Sequence, residues 1–300
     1  MRITQTQLQN LALNSITDAR ANTFERQKVA STGKRIDSPS DDPTGSAQAR
    51  LLNSLRYETN AYLGNVNFAK LRLEQAEQAL SESANVVVRA RELALAMANG
   101  TVGTEQRNLA AAEVGSLRAT LIDLANTKQG NEFIFANTNT NNPPVDPSGT
   151  FSYDPNLFNN VREIEFGPTA RGAISGSASE AFAQRGAAPN SIDVFSTMQT
   201  LITNLQNNDP TAIRSSIDEL NRAFDQLNAE RTQIGIRTNR AQNAEYSANQ
   251  AESLYKSLEG EIVDADAAEA FSQLSLAQNS LQAAVTISAR ILGPSLIDVL

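Results

Sequence analysis

Apolar residues recur at alternating steps of three and four along residues 52–97. Twelve of the fourteen positions in this series are apolar, and the run contains no proline. A heptad repeat of this length predicts a coiled-coil helix of roughly 70 Å, which needs a partner helix to cover its apolar seam. The series consists of Leu52, Leu55, Thr59, Tyr62, Val66, Ala69, Leu73, Ala76, Leu80, Ser83, Val87, Ala90, Ala94 and Met97.

A second repeat of the same period begins at Ile213 and slips by one position at Arg231. It predicts a second helix of about 75 Å. Because a long excursion separates the two repeats, an antiparallel return is the simplest pairing of the helices. The second series consists of Ile213, Ile217, Leu220, Phe224, Leu227, Ile234, Ala241, Ala244, Ala248, Ala251, Tyr255, Leu258 and Ile262.

Turn and capping residues divide the chain into five segments. Asp42-Pro43 and Asp209-Pro210 predict helix starts, and Asn99-Gly100 predicts a helix stop. The predicted fold class is mainly α, a long antiparallel coiled-coil helical bundle with a small β-rich inserted domain. The segments are an N-terminal assembly segment and turn (1–42), the first rod helix and a return helix (43–129), the β-rich insertion (130–190), a short helix and the second rod helix (191–263), and a C-terminal assembly helix (264–300).

The insertion is predicted to contain strands because the helical period stops after Gly130. Short stretches rich in aromatic and β-branched residues follow, at 132–136, 150–153, 161–166 and 171–177. A polar loop, NTNTNNPPVDPSG, separates the first two. A ligand-binding module is the alternative interpretation of this segment, although no convergent polar constellation supports it.

Composition excludes several classes of function. The aromatic content is 5% and tryptophan is absent, which argues against a large globular core. The net charge is −8, and no basic cluster is dense enough to neutralise phosphates, so nucleic acid is not an expected partner. Histidine and cysteine are both absent. The usual general base, the thiolate nucleophile and the commonest transition-metal ligands are therefore missing, and we expect neither enzyme activity nor a cofactor.

Two local patterns have a chemical and a structural interpretation. Gly33-Lys34 is similar to part of a phosphate-binding loop, but the upstream glycine is missing and Arg35 replaces the Ser or Thr that binds magnesium, so a turn is the better account. A cluster of acids near residue 264 is either a metal site or a set of carboxylates favoured at the start of the last helix, and the second explanation is preferred. The cluster consists of Glu259, Glu261, Asp264, Asp266 and Glu269.

Neither a membrane span nor a secretory signal is expected. No apolar run approaches the roughly 18 to 20 residues of a membrane helix. Residues 1–20 are rich in Gln, Asn and Thr and lack a continuous apolar block. These features predict a cytoplasmic protein without membrane insertion, unless export uses a route without a cleaved signal.

The chain resembles the flagellin superfamily, the axial proteins of the bacterial flagellum, over nearly its whole length. The resemblance rests on STGKRIDSPSDDP at 31–43, the long heptads, the central insertion, and IVDADAAEAFSQLSLAQNSLQAAVTISARIL from Ile262. MRIT at 1–4, Pro39 and Pro43, LANTKQGNEFIFA at 124–136 and the ending SLIDVL are similar to the members at the hook-filament junction. Filament flagellins more often carry an SSGLRIN-type block followed by KDDAAG.

The resemblance implies a structural adaptor between the flagellar hook and the flagellin filament. The implied partners are other copies of the chain, the other hook-associated junction protein, flagellin, and a cytosolic export chaperone. The implied location is the extracellular flagellum, reached by type III export without a cleaved signal peptide. The apolar residues of the two terminal segments supply the predicted assembly interface, namely Ile3, Leu8, Leu11, Phe271, Leu274, Leu281, Val285 and Leu292.

Three other functions compete with the adaptor. A filament-forming flagellin has the same structural class but polymerises on its own. A flagellin with a metalloprotease insertion would be an enzyme, but that insertion needs a pair of histidines. A coiled-coil scaffold unrelated to flagella would not explain the polar capping block together with the apolar terminal segments.

Overall fold

The computed structural model describes residues 5–152, 162–183 and 191–292 of the 300-residue chain. The described chain is mainly helical, as predicted, while the coiled-coil geometry itself stays a prediction. The helices are α1 (Gln5–Thr32), α2 (Pro43–Met97), α3 (Thr104–Ala125), α4 (Ala178–Phe182), α5 (Val194–Gln206), α6 (Pro210–Val263) and α7 (Ala267–Leu292). Two motifs used in the sequence analysis, MRIT at residues 1–4 and the ending SLIDVL, lie outside the described residues.

Aspartate side chains begin the long helices. Asp42 Oδ1 accepts the Gly45 N–H at 2.9 Å, and Asp209 Oδ1 accepts the Thr211 N–H at 2.9 Å. In both cases the next residue is the proline that opens the helix, where a missing N–H removes nothing from the helical hydrogen-bond ladder. The two predicted starts are therefore confirmed.

The described residues form two compact units. The terminal unit takes its residues from Met1–Glu58 and Ala251–Leu300, and the central unit is Thr59–Gln250. The helices α2 and α6 contribute residues to both units. The five-segment division expected from the sequence stays a prediction.

In the central unit the apolar repeats of α2 and α6 form the core, and the two helices run antiparallel. Arg231 Nη2 lies 2.6 Å from Glu77 Oε1, and Lys70 Nζ lies 2.7 Å from Glu245 Oε2, so rising numbers on α6 meet falling numbers on α2. The repeat positions that are fully buried on the two helices are Val66, Ala69, Leu73, Ala76, Leu80, Ser83, Val87, Ala90, Ala94, Ile213, Leu220, Leu227, Ile234 and Ala241.

The return helix and the short helix complete this core. Helix α3 returns along α2, and Arg89 Nη2 on α2 lies 2.8 Å from Glu113 Oε1 on α3. The buried Arg107 donates to the Met97 and Asn99 carbonyl oxygens, which closes the turn between α2 and α3. The face of α5 that carries Val194, Met198, Leu201 and Leu205 is fully buried.

The insertion contains less strand than expected. Its strands are β1 (Lys128–Gln129), β2 (Glu132–Phe133), β3 (Glu163–Glu165) and β4 (Arg171–Ala173), paired antiparallel as β1 with β2 and β3 with β4. The stretch 150–153 gives one isolated bridge, between Val145 and Phe151, and residues 153–161 lie outside the described ones. β2 ends at Phe133, and the residues after it are buried on consecutive positions. Ile134, Phe135 and Ala136 are each at most 1% exposed.

The Gly33-Lys34 pair forms a turn, as preferred from the sequence. Gly33 has a φ of 68°, a left-handed conformation that glycine adopts without a Cβ clash. The Gly33 carbonyl accepts the Ala265 N–H at 2.9 Å, and Lys34 forms an isolated bridge with Asp264. The turn therefore joins the chain after α1 to the chain before α7, within the terminal unit.

Candidate assembly surface

Helices α1 and α7 pack against each other antiparallel. Thr23 Oγ1 donates to the Ala277 carbonyl at 3.2 Å, and Ser288 Oγ donates to the Ala12 carbonyl at 3.5 Å. Arg26 Nη1 adds a hydrogen bond of 2.5 Å to Gln273 Oε1 on the exposed side. These contacts bring together residues of the two terminal segments that are 247 to 276 positions apart in the chain.

Small side chains fill the contact between these helices. The buried residues of the pair are Ala12, Ala270, Ala277 and Ser288, exposed by 6%, 8%, 6% and 3%. Alanine and serine let two helices approach closely, but each removes little apolar area from water. The fully buried part of the contact is therefore a narrow seam, and larger apolar residues beside it, such as Leu274 and Leu281, are only half-buried.

Large apolar side chains point away from the seam. Leu11, Phe24, Phe271 and Leu276 are each more than 60% exposed. A concentration of exposed apolar side chains on one pair of helices is typical of a surface that another chain covers. We call this set the apolar terminal surface, and it consists of Leu8, Leu11, Leu13, Phe24, Phe271, Leu276, Val285 and Ile287.

The residues predicted for the interface fall into three groups. Leu8, Leu11, Phe271 and Val285 belong to the apolar terminal surface. Leu274 and Leu281 are half-buried, at the spacing of the buried Ala270, Ala277 and Ser288. Ile3 lies outside the described residues, and Leu292 ends α7 with a side chain that is likewise outside them. Their role in assembly stays a prediction.

Four residues of the apolar terminal surface were not included in the interface predicted from the sequence. Leu13, Phe24, Leu276 and Ile287 are 57%, 69%, 64% and 58% exposed. For Leu276 and Ile287, the signal that would have found them is the alanine spacing of α7, since Ala270, Ala277 and Ala284 recur every seven residues. This signal does not extend to Leu13 and Phe24, which lie on α1. A repeat of small residues marks the seam, so large apolar residues off that repeat face outward.

Ionic and capping contacts hold the turn beside this pair of helices. Lys28 Nζ lies 2.9 Å from Asp37 Oδ2, and the hydrogen bond to Asp37 raises the pKa of Lys28. Asp41 accepts the backbone N–H groups of Asp37 and Ser38, and the Ser38 N–H is the main reason why the pKa of Asp41 is lowered. The turn is thus ordered by its own polar groups.

The acid cluster near residue 264 has structural partners. Glu259 accepts hydrogen bonds from Arg56 at 2.5 Å and from Asn53 at 2.6 Å. Asp266 Oδ1 accepts the Ala268 and Glu269 N–H groups at 2.8 and 3.2 Å and so caps α7, the role preferred from the sequence. Within residues 5–152, 162–183 and 191–292, no three His, Cys, Asp or Glu side chains are grouped so that they could hold a metal ion.

The described helices were also compared with the requirements of a membrane span. None of them combines the length and the apolarity that crossing a bilayer demands.

The two ends of the chain match flagellin sequence models. Residues 3–140 match the bacterial flagellin N-terminal helical region, and residues 217–300 match the bacterial flagellin C-terminal helical region. Both helices that carry the apolar terminal surface lie within these matches.

Curated relatives include two kinds of flagellar protein. Flagellar hook-associated protein 3 of Escherichia coli strain K12 is 31% identical over 145 residues, which are 48% of this chain and 46% of that protein. A flagellin of Listeria monocytogenes is 33% identical over 107 residues, which are 36% of this chain and 37% of that protein. The chain therefore spans about half the length, or less, of the curated relatives it matches.

Solved structures share the fold. The crystal structure of flagellar hook associated protein-3 from Legionella pneumophila superposes with a TM-score of 0.61 at 15% identity, over 71% of this chain and 98% of that chain. At this identity the likeness establishes the fold alone.

Proposed function

We propose that this chain, which belongs to the bacterial flagellin family, is a structural adaptor that joins the flagellar hook to the flagellin filament. The observation that carries the proposal is the apolar terminal surface on α1 and α7, where Leu11, Phe24 and Phe271 are more than 60% exposed. The name of the Escherichia coli relative, a hook-associated protein, supports the junction over the filament as the place of assembly.

Assembly, in this proposal, stabilises the terminal helices. Ordering a helix costs about 1 to 2 kcal/mol per residue in backbone entropy, and the small-residue seam of α1 and α7 offsets only part of it. Covering the apolar terminal surface with neighbouring subunits adds roughly 25 cal/mol for each Å² of apolar area removed from water. The terminal helices are therefore stable in the finished structure and marginal in a free subunit.

The proposed partners follow from a position between two assemblies. Other copies of the chain cover the sides of the apolar terminal surface, the second hook-associated junction protein lies towards the hook, and flagellin lies towards the tip. A cytosolic export chaperone covers the C-terminal helix before export. The proposed location is the extracellular flagellum, reached without a cleaved signal peptide.

The proposed role requires no active site. The flagellin family consists of structural proteins of the flagellum. The chain also contains no histidine or cysteine, so the commonest catalytic bases and metal ligands are missing from its sequence.

Deletion of the gene separates an adaptor from a filament-forming flagellin. Without an adaptor, cells should keep their hooks, lack filaments, and release unpolymerised flagellin into the medium. Electron microscopy of the cells and immunoblotting of the medium measure both results. Loss of filaments without flagellin in the medium would support the alternative, a filament-forming flagellin.

Substitutions on the apolar terminal surface test how the chain assembles. Phe271→Ser removes a large exposed side chain from α7 and should abolish rescue of filament formation in the deletion strain. Tyr246→Ser is the matched control, because Tyr246 is 67% exposed on α6 in the central unit. Equal rescue by both variants would contradict assembly through α1 and α7.

Limited proteolysis of the purified monomer tests the stability of its ends. Because the seam is narrow, a low protease concentration should remove roughly the first 40 and the last 35 residues while the central unit stays intact. Mass spectrometry of the fragments defines the cut sites. Resistant termini in the monomer would count against folding coupled to assembly.

A further inference from the structure

One carboxylate of α6 is buried in the central unit. Glu230 is 3% exposed, and its Oε1 accepts the Ser177 backbone N–H at 3.4 Å. It lies between the fully buried Leu227 and Ile234 and follows the same spacing of buried positions along α6, so a carboxylate occupies a core position of this helix. A buried carboxylate is costly to ionise without strong partners, so the groups around Glu230 decide its charge.

Two charged side chains face Glu230. Arg237, two turns along α6, places Nη1 3.4 Å from Glu230 Oε1 and Nη2 3.9 Å from Glu180 Oε2 on α4. The Glu230 and Glu180 carboxylates therefore face the same guanidinium. From α2, Glu77 faces this part of α6 but is paired with Arg231 at 2.6 Å. Among the described residues, the cluster therefore holds two carboxylates and one guanidinium.

The cluster joins α6 to a segment of the insertion. We call residues 174–182 the docking segment. Its Ser177 N–H reaches Glu230, its Ser175 carbonyl accepts a 2.6 Å hydrogen bond from Arg237 Nη1, and its helix α4 carries Glu180. The other contacts of this segment are mainly apolar or involve backbone groups, such as the hydrogen bond of 3.1 Å from the Ala178 N–H to the Phe135 carbonyl. Glu230, Glu180 and Arg237 are thus the groups through which solvent protons can act on the docking.

We propose that Glu230, Glu180 and Arg237 form a proton-dependent clasp, which holds the docking segment against α6 more firmly when the two carboxylates share a proton than when both are ionised. With one shared proton, the cluster carries one negative and one positive charge, and the two carboxylates are joined by a hydrogen bond. After that proton leaves, two negative charges face one arginine in a site that water reaches poorly. The insertion is therefore docked tightly in mildly acidic solution and more loosely in mildly alkaline solution.

The direction of the pH effect follows from the titration of Glu230. Burial, opposed by Arg237 and assisted by Glu180, raises the pKa of Glu230 from 4.5 to about 7. The docked state therefore binds this proton more tightly than a state in which the segment has opened to water. Opening becomes easier as the pH rises from 4.5 towards 7, and the effect is complete above the raised pKa.

Amide hydrogen exchange of the docking segment tests the clasp in the full-length protein. Rates are measured by mass spectrometry between pH 6 and 8.5, and each is divided by the rate of the same peptide in the urea-unfolded chain at that pH. The normalised rate in the wild type should rise about tenfold across this range. In E230Q the rise should disappear, because the amide stays neutral and its oxygen can still accept the Ser177 N–H.

Matched variants make the result decisive. Glu245→Gln neutralises another α6 carboxylate of the central unit, one paired with Lys70 at 2.7 Å and 29% exposed, and should keep the wild-type rise. If E230Q does not fold, E180Q replaces it, since removal of the Glu180 charge should move the rise to lower pH. A flat wild-type profile, an E230Q profile equal to that of the wild type, or an unshifted E180Q profile would each overturn the proposal.

Discussion

The central unit buries large apolar side chains together with small ones, whereas the buried side chains between α1 and α7 of the terminal unit are all small. In the central unit, large residues such as Leu73, Phe182 and Phe195 are fully buried. In the terminal unit, the contact between α1 and α7 buries Ala12 and Ala277, while large apolar residues of the same helices stay exposed. Apolar burial is the main source of folding free energy, so the central unit has most of its stabilisation within one chain.

This difference separates folding from assembly. A unit that buries its large side chains internally is complete as a monomer. A unit that leaves them outside keeps that part of the hydrophobic free energy for contact with another molecule. The same substitution should therefore affect stability in the central unit and association in the terminal unit.

The largest difference in stability between the two units is expected when one aromatic ring is removed from each. Phe195 contacts the rings of Phe182 and Phe151, with centroids 5.5 and 5.7 Å apart. Phe195→Ala should lower the free energy of unfolding of the central unit by about 3 to 5 kcal/mol, because it leaves a cavity in a packed core. Phe24→Ala, at a side chain that is 69% exposed, should change it by less than about 0.5 kcal/mol.

Urea unfolding followed by circular dichroism measures both ring variants as purified monomers. A co-sedimentation assay with preassembled flagellar material gives the second half of the comparison, where Phe24→Ala should lose more binding than its stability change explains. Similar losses of stability in the two variants would remove the distinction between the units.

The next largest effect on stability is expected from replacing one arginine in each unit. The Arg107 side chain is 2% exposed and donates to the Met97 and Asn99 carbonyl oxygens and to the Asn208 side chain. Arg107→Met removes three hydrogen bonds that a buried guanidinium donates, although its acceptors Asn99 and Asn208 belong to exposed residues, and it should lower the free energy of unfolding by about 2 to 3 kcal/mol. Thermal unfolding of the wild type and of Arg107→Met measures this loss of stability.

The matched change in the terminal unit is Arg56→Met. The Arg56 side chain is 26% exposed and pairs with Glu259, so water can replace part of what is lost. A smaller decrease in melting temperature is expected than for Arg107→Met. A larger one would mean that the terminal unit depends on its ion pairs more than on its seam.

The seam of the central core could be predicted from the sequence because the helical period determines which residues share a face. Val66, Leu80 and Val87 lie on the predicted series of α2, and all are fully buried. The apolar pattern places a slip of the α6 repeat at Arg231. In the structure the buried residue at this point is Glu230, three positions after Leu227 and four before Ile234, so the alternation of buried positions continues without a slip.

The insertion and the terminal surface could not be predicted as fully. In the insertion, β2 ends at Phe133, and Ile134, Phe135 and Ala136 are buried on consecutive positions by distant parts of the chain, as the contact of the Phe135 ring with that of Phe182 illustrates. On α7, Leu274 and Leu276 are both apolar and only two positions apart. Which of them faces α1 depends on the register of the pair, and the structure leaves Leu276 64% exposed.

A smaller effect is expected from filling the seam of the terminal unit. Ala277 is 6% exposed against α1, and Ala277→Leu adds three carbon atoms where there is little room. It should destabilise the pair of α1 and α7 by about 1 to 3 kcal/mol. Gln278→Leu is the control, since residue 278 is exposed on the same helix. Trypsin cleavage rates of the termini measure the change, and faster cleavage of the Gln278→Leu variant than of Ala277→Leu would show that the seam does not hold the pair.

The smallest expected effect concerns the cap of α5 in the central unit. Asp193 Oδ1 accepts the Ser196 N–H at 3.0 Å, and burial raises the pKa of Asp193 despite this hydrogen bond. A raised pKa means that the folded state holds the proton more tightly than the unfolded one, so this group lowers stability as the pH rises from its unfolded towards its folded pKa. Asp193→Asn keeps the cap and removes the charge, and should leave stability at pH 7 unchanged or raise it by less than about 1 kcal/mol. Asp193→Ala loses the cap and should lower stability by about 1 kcal/mol, so urea unfolding at pH 5 and pH 7 separates capping from charge. A loss of stability in Asp193→Asn as large as that in Asp193→Ala would assign the contribution of this residue to its charge, and the start of α5 would then depend on an ion and not on a neutral cap.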